Sequence, residues 1–411
     1  MEKTCKKKGL HILGTGDILQ PDWLNYMEKN LEKNNNGAYS YNEIFFILQS
    51  EIEDEKNIHH VVFFPNFDVV REIQEKLKPY SKNILGEWGG RPRVNLSPPE
   101  LADIISDIGG LIGPAHAFTP FKAIFRQNRY KTMEECYQDA LDKVSFVELG
   151  LSANTDLADR LKTLENFSFL TNSDAHSQKP YSLGREFNKF YIETPSFEEI
   201  LLALKRKNGR KISLNVGLHP KLGKYYNMFC SKCRRRVLFK ETKKSFGINF
   251  SQYSITDNFI IFFEKDPKIA RNDYIKAVAK KKMVCPACKD KTGNNYKIKL
   301  GVSERIDDIS NYKEPKHPPH RPPYINAVPL IDIIRSIEGI KSKNSKTVVK
   351  AYNKIIEKLG TEYEIMLNHS IEKIKKYNES IGSVIEALRN NEITYIPGGG
   401  GTYGNIELDL D

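Results

Sequence analysis

Leu170-Thr171-Asn172-Ser173-Asp174-Ala175-His176-Ser177 decides how this chain is read. The apolar run Phe167-Ser168-Phe169-Leu170 leads into it and reads as a buried β-strand that ends where the polar residues begin. Asp and His two apart, on a loop leaving a strand's C-terminal end, converge on one point. In an α/β barrel that end carries the chemistry. Asp offers a hard oxygen and His a borderline nitrogen, a mix that suits Zn²⁺, Mn²⁺ or Fe²⁺. An isolated D-x-H is more often a polar turn whose Asp caps the next segment, so the weight falls on the rest of the chain.

Upstream, the pattern repeats. Gly9-Leu10-His11-Ile12-Leu13-Gly14-Thr15-Gly16-Asp17 reads as a strand, a Gly-rich turn and a carboxylate. Ile44 to Ile52 is a second apolar run, with Glu51 near its end. His59-His60-Val61-Val62-Phe63-Phe64-Pro65 is a third, with His59 and His60 on opposite faces. A helix is expected over Asp68 to Leu77, and Pro98-Pro99 suits the first turn of another. Gly110 to His116 and Ser145 to Gly150 are further strands, ending at His116 and near Glu148. Strand and helical segments alternate to about residue 215, which predicts a parallel sheet or barrel. The recurrence of an acid or His at successive strand ends (Asp17, Glu51, His116, Glu148, Asp174, His176, with His59 beside them) favours a metal site over a series of unrelated polar turns.

The chain of 411 residues is 39% hydrophobic and 28% charged, a globular composition long enough for two or three domains. Its formal net charge of +11 fits a nucleic-acid partner, and by charge alone an anionic surface as well. No apolar run approaches membrane-span length, and Met1 to Lys8 lacks the apolar core of a secretory signal. Basic residues crowd the stretch from Lys205: Lys205, Arg206, Arg210, Lys224, Arg234, Arg235 and Arg236, with Tyr225, Tyr226 and Phe229 interleaved, read as a phosphate-backbone contact surface. Four of the six cysteines form two C-x-x-C knuckles, Cys230/Cys233 and Cys285/Cys288. Four thiolates so paired predict one closed, structural Zn²⁺ site in a reducing cytoplasm rather than disulfides. The segment between the knuckles is long for a zinc ribbon and reads as an insertion with its own strand, Phe259 to Phe263. His317 to Tyr324 is a rigid Pro-rich connector, followed by helices expected over Val328–Ile337, Val348–Leu359 and Ile381–Leu388. The Gly-rich stretch Ile396 to Gly404 does not fit a P-loop; a flexible turn and a phosphate-approaching loop both suit it.

This strand-end set resembles the polymerase-and-histidinol-phosphatase (PHP) family, and within it the endonuclease Q branch. The resemblance rests on Gly14-Thr15-Gly16-Asp17 with Pro21-Asp22-Trp23-Leu24, on Gly113-Pro114-Ala115-His116-Ala117-Phe118-Thr119-Pro120, and on Glu148-Leu149-Gly150-Leu151-Ser152. Asn172 to Ser177, Leu183-Gly184-Arg185-Glu186, Val216-Gly217-Leu218 and Leu222-Gly223-Lys224-Tyr225 add to it. So do the paired knuckles, His320-Arg321-Pro322-Pro323-Tyr324 and Tyr403-Gly404. It covers nearly the whole chain. It implies a distorted (β/α)₇ barrel over residues 1–215, a basic Cys₄ zinc module over 216–312, and a connector with C-terminal helices over 313–411. It also implies an enzyme that nicks DNA 5′ to a deaminated base (uracil, hypoxanthine) or an abasic site. On that resemblance Glu51 bridges two divalent metals, Zn²⁺ with Mn²⁺ or Mg²⁺ as the other choices. His59 and His116 complete one site, Asp174 holds the other, and Asp17 with His176 serve a third. Asp174 and His176 are the expected catalytic pair.

Two departures stand out. The family opens with a strand carrying H-x-H, and no H-x-H precedes Gly9 here, so the expected barrel lacks its first strand unless the true start lies upstream. Gln20 stands where the family has a His after Gly-Thr-Gly-Asp. Three functions therefore compete: a lesion-directed endonuclease, a catalytically impaired DNA-binding homologue, and a small-molecule phosphoesterase on the same scaffold. A small phosphate ester needs neither the basic stretch nor the Cys₄ module.

Overall fold

A tight turn sets the geometry of the site. Ile44–Glu53 and His59–Phe64 are joined through residues 54–58, where Asp54 accepts the Ile58 N–H through Oδ1 (2.8 Å) and the Asn57 N–H through its carbonyl (3.0 Å). The two strands form an antiparallel hairpin that pairs Glu53 with His59 and Leu48 with Phe64. Leu111–Pro114 adds antiparallel to the hairpin, with Pro114 opposite His60. Ile12–Gly14 runs parallel to Ile44–Glu53, with Gly14 beside Ile47. The alternation in the sequence predicts parallel neighbours; the middle of this sheet is antiparallel, because the turn leaves no room for a crossover helix. As a result the start of His59–Phe64 lies at the same end as the finish of its two neighbours. The computed structural model describes residues 1–86, 91–243, 250, 252–280, 283–288 and 297–407.

The sheet continues through a bridge between Ile112 and Val144 into the parallel pair Phe146–Glu148 and Ser168–Leu170. Lys211–Gly217 pairs antiparallel with Phe187–Tyr191 and parallel with Tyr324–Asn326. These strands send one set of side chains to a common interior: Ile47, Val61, Phe63, Leu111, Phe146, Leu170 and Ile212 pack with Phe197, Ile200 and Leu204 of the helix Phe197–Leu204. The alternate residues, Val62 and Phe64 among them, face a larger core under the helices Phe67–Leu77 and Pro98–Asp107. Phe67–Leu77 buries Val70, Ile73 and Leu77 at helical spacing, each worth roughly 1.5–3 kcal/mol. Asn66 caps this helix by accepting the Val69 N–H, one residue earlier than the sequence suggests.

The insertion between the knuckles folds. Tyr253–Ile255 and Phe259–Glu264 join Arg236–Glu241, Phe229–Cys230 and Ile298–Lys299 in one sheet, and the helix Pro267–Ala279 packs on it through Tyr274, Ile275 and Val278. The C-terminal helices are Leu330–Ile337, Lys346–Leu359, Ile371–Tyr377 and Glu379–Arg389, enclosing a core of Ile334, Tyr352, Ile355 and Ile385. Ile371–Tyr377 is short, and the sequence reading missed it. Lys8, on the helix Glu2–Lys8, ties into this core through a buried ion pair with Glu362 (2.7 Å), which also accepts from Tyr352 Oη (2.8 Å).

The Gly-rich stretch is a packed strap, not a flexible turn. Gly398 N, Gly401 N and Gly404 N donate to the carbonyls of Lys221, Lys224 and Leu222. A Cβ on Gly400 would stand 2.1 Å from the Arg234 carbonyl oxygen, so only glycine admits that approach.

Candidate active site

Among the described residues two groups place metal-ligand atoms within 4.8 Å of one another: Glu51 with His59 and His116, and the four knuckle cysteines. The first lies at the shared strand end. His59 Nδ1 stands 2.6 Å from Glu51 Oε1 and 3.2 Å from His116 Nε2, and His116 Nε2 stands 3.9 Å from Glu51 Oε1. Glu51 Oε1 is buried and faces both imidazoles, with Arg91 Nε 2.7 Å away on the same oxygen. A divalent cation meets the needs of that donor set. The outer nitrogens are occupied. His116 Nδ1 meets Thr119 Oγ1 (3.1 Å), and His59 Nε2 meets Glu53 Oε2 (3.0 Å) and Arg91 Nη1 (3.0 Å). These contacts orient each ring and leave its other nitrogen for a ligand role. His60 points away, to Asp54 and Tyr137, and is a satisfied core histidine.

Electrostatics follow from burial and these pairings. Burial raises the Glu51 carboxyl, but the hydrogen bonds and charges of His116 and His59 outweigh it and hold the group well below the usual carboxylate range. Burial pulls His59 down, partly offset by Glu51, whereas for His116 the attraction of Glu51 outweighs burial and the ring is raised. Glu148, buried, accepts the His116 backbone N–H (2.9 Å), and burial pushes it up to about 7. Arg91 and Glu53 were not anticipated from sequence; nothing in the local pattern around either marks it.

Glu186 is also buried, and burial pushes its carboxyl up to about 8 although the Leu218 N–H and Arg185 pull the other way. Its folded value lies above the ordinary 4.5, so the folded state keeps a proton that the unfolded chain releases. Stability contributed by that proton is complete below pH 4.5 and is lost as pH rises through about 8. The loss is on the order of a few kcal/mol. Glu186→Gln should flatten the fall in unfolding midpoint over that window. Parallel pH profiles for parent and mutant would count against a buried, protonated Glu186.

The other expected ligands adjoin the triad without reaching ligand distance. Asp17 follows Ile12–Gly14 and has a raised carboxyl, first from burial and then from the charge of Glu51. The charge of Asp174 bears on His116 and Glu148, and His176 contacts the Asp174 carbonyl through Nδ1 (3.0 Å). Asp17 (φ 30°), His116 (φ 31°) and Asp174 (φ 45°) all have positive φ, a conformation uncommon outside glycine that Asp and His adopt more readily than most residues, and one that clusters at functional sites. Gln20 is committed elsewhere: its Oε1 accepts the Trp23 N–H (2.6 Å) as the cap of the helix Pro21–Asn30.

The long insertion does not separate the knuckles. Cys230 Sγ and Cys288 Sγ are 3.7 Å apart, and Cys233 Sγ and Cys285 Sγ 3.8 Å. Tetrahedral Zn²⁺ with Zn–S of about 2.3 Å requires sulfurs about 3.8 Å apart. The basic residues divide. Arg206 donates to Ser168 Oγ and the Asn166 carbonyl, Arg210 is paired with Glu193 and Glu199, and Arg236 is buried against the Pro397 carbonyl and the Phe259 ring. Their groups serve the fold. Lys205 and Arg206 line a cleft of about 890 Å³ at the start of Ser168–Leu170, the end opposite Asp174. Arg235 donates to the Thr256 carbonyl, while Arg234 stays exposed over the Phe121 and Phe229 rings, and Lys224 lies over the Tyr403 ring.

The α/β sheet, the carboxylate–imidazole triad at one strand end and the Cys₄ module define a class of metal-binding α/β protein. The family model for the MJ0043 C-terminal domain matches residues 329–392, the C-terminal helices. MJ0043 of Methanocaldococcus jannaschii is 34% identical over 298 residues, 71% of this chain, which spans only 31% of that protein's length. YqxK of Bacillus subtilis is 28% identical over 98% of the chain and 90% of its own length. The crystal structure of the lesion-specific endonuclease PfuEndoQ from Pyrococcus furiosus is similar over 100% of this chain and 90% of its own, at 37% identity and a TM-score of 0.81. Endonuclease Q in complex with a 27-mer duplex substrate, with an abasic lesion at the active site, gives 36% identity and a TM-score of 0.82 over 99% of this chain and 90% of its own. The chain belongs to the endonuclease Q family.

Proposed function

We propose that this chain is a metal-dependent DNA endonuclease that hydrolyses the phosphodiester 5′ to a deaminated base or an abasic site. The observation that carries the reading is the convergence of Glu51 Oε1, His59 Nδ1 and His116 Nε2 within ligand reach of one another at one strand end. The lesion-specific endonuclease and the abasic-site complex among its structural neighbours support the reaction and the substrate class. Glu51, His59 and His116 would hold a divalent ion, which when bound would supply Lewis-acid activation of the phosphodiester and of an attacking water. This chain's own residues do the rest. Thr119, Glu53 and Arg91 fix the imidazole orientations, Glu148 anchors the backbone at His116, and Asp174 supplies a carboxylate beside the triad.

The reading includes a PHP-type barrel over 1–215, a zinc module over 216–312, a C-terminal part over 313–411, and action in the cytoplasm. Among the described residues no helix is long and apolar enough to cross a membrane. Nicking of a duplex carrying one deoxyinosine, uracil or abasic site, set beside an undamaged duplex, tests it. Asp174→Ala should slow nicking ~10²-fold or more and change duplex affinity little, since phosphate contacts supply most non-specific attraction. Equal nicking by parent and mutant removes Asp174 from the mechanism.

The catalytically impaired homologue is the second reading. It is favoured by the commitment of Gln20 to a helix cap and by the ligand group at the strand end, among the described residues, including neither Asp17 nor His176. Its expected result is tight lesion binding with no nicking by the metal-loaded parent.

A further inference from the structure

Arg185, Lys224 and Lys343 come from separate stretches of the chain and meet at the ring of Tyr403. Lys224 Nζ lies 4.8 Å from the ring centroid, the Arg185 guanidinium carbon 5.5 Å and Lys343 Nζ 5.9 Å. Arg185 Nη1 donates to the Tyr403 hydroxyl at 2.5 Å, which leaves the hydroxyl's own proton free to donate. The same guanidinium is pinned to the Asp174 loop: Nε donates to the Ser173 carbonyl (2.9 Å) and Nη2 to the Asp174 carbonyl (3.2 Å). The glycine strap places Tyr403, since Gly401 N donates to the Lys224 carbonyl (3.0 Å) and Gly404 N to the Leu222 carbonyl (2.9 Å).

Like charges gathered around one half-buried ring repel one another. Lys343 has a carboxylate, Asp332 at 2.7 Å. Among the described residues no carboxylate lies within ion-pair distance of Arg185 or Lys224. The cluster therefore has positive charge to spare, a preset hydroxyl donor and a fixed position next to Asp174. Those are the requirements of a site for a tetrahedral, doubly coordinated oxyanion.

We propose that Arg185, Lys224, Lys343 and the Tyr403 hydroxyl hold one backbone phosphate of the DNA strand beside the Asp174 loop, setting the register of that strand at the triad. This rests on the endonuclease reading and adds a positioning subsite to it.

The test is equilibrium binding at fixed salt. It uses lesion duplexes in which each linkage near the lesion is neutralised in turn as a methylphosphonate. The parent should lose about tenfold in affinity at one linkage, and Lys224→Ala should show no penalty at that linkage while keeping those at all others. Tyr403→Phe should reduce the same penalty, and Lys224→Ala should lower the salt slope by roughly one phosphate's worth. Unfolding midpoints of both variants, measured alongside, identify any loss that comes from misfolding. Identical penalty profiles in parent and Lys224→Ala overturn the subsite, as does absence of duplex binding by the parent. Because the readout is binding, a parent that never nicks defeats the endonuclease reading separately.

Discussion

Glu51→Gln should reduce nicking of a lesion duplex ~10³-fold while leaving duplex affinity within about twofold. The substitution keeps the volume and removes the charge that faces His59 Nδ1 and His116 Nε2. An amide is a weak ligand for a divalent cation, so metal bound at this end of the sheet should fall in step with activity. In the metal-free protein the raised value of His116 depends on Glu51, so its imidazole should titrate lower in the metal-free mutant than in the metal-free parent; proton NMR of the His116 ring reads this. Arg91 also loses the carboxylate that stands 2.7 Å from its Nε. A mutant that nicks at the parental rate, or binds the parental amount of metal, would show that the triad is a polar core cluster.

Cys285→Ser should release the zinc of the knuckle pair and loosen the segment from Phe229 to Lys299. The four sulfurs lie within 4.8 Å of one another, two pairs of them at 3.7 and 3.8 Å, so binding asks for only small shifts, and a structural Zn²⁺ contributes on the order of 10 kcal/mol to its module. The remaining core, with Val237, Ile260, Phe262 and Tyr274, is small for a sheet of this size. Zinc content by elemental analysis should drop by about one ion per chain, and limited proteolysis should cut between the knuckles first. The strap should loosen with the module, because Arg236 donates to the Pro397 carbonyl and the Arg234 carbonyl crowds Gly400. Parental zinc content and proteolytic resistance in Cys285→Ser would mean that the four thiols bind no ion. Zinc lost with full resistance would mean that the apolar core alone holds the module.

Some of this was readable from residue order alone, for a physical reason in each case. Cys230 with Cys233 and Cys285 with Cys288 are short-range pairs whose spacing already forms half a metal site, so the knuckles are a local signal. The apolar runs at Ile44 to Ile52, His59 to Phe64 and Ser168 to Leu170 declare strands, and the polar run after Leu170 marks a loop. The helix Phe67–Leu77 shows its buried face at helical spacing.

What the residue order could not settle is everything that depends on which segments become neighbours. Alternating strands and helices suggest parallel strands, yet the turn at residues 54–58 reverses the chain and brings His59, at a strand's start, to the end where Glu51 and His116 stand. Basic residues that look alike in the sequence part company in space: Glu193 and Glu199 neutralise Arg210, the Pro397 carbonyl holds Arg236, and Lys224 keeps an unpaired charge above Tyr403. Arg91, Thr119 and Glu53 gain their roles only because folding sets them against the two imidazoles. Ligand type and strand pattern are local properties of the chain, whereas a charge acts through its neighbours, and those are chosen by tertiary packing.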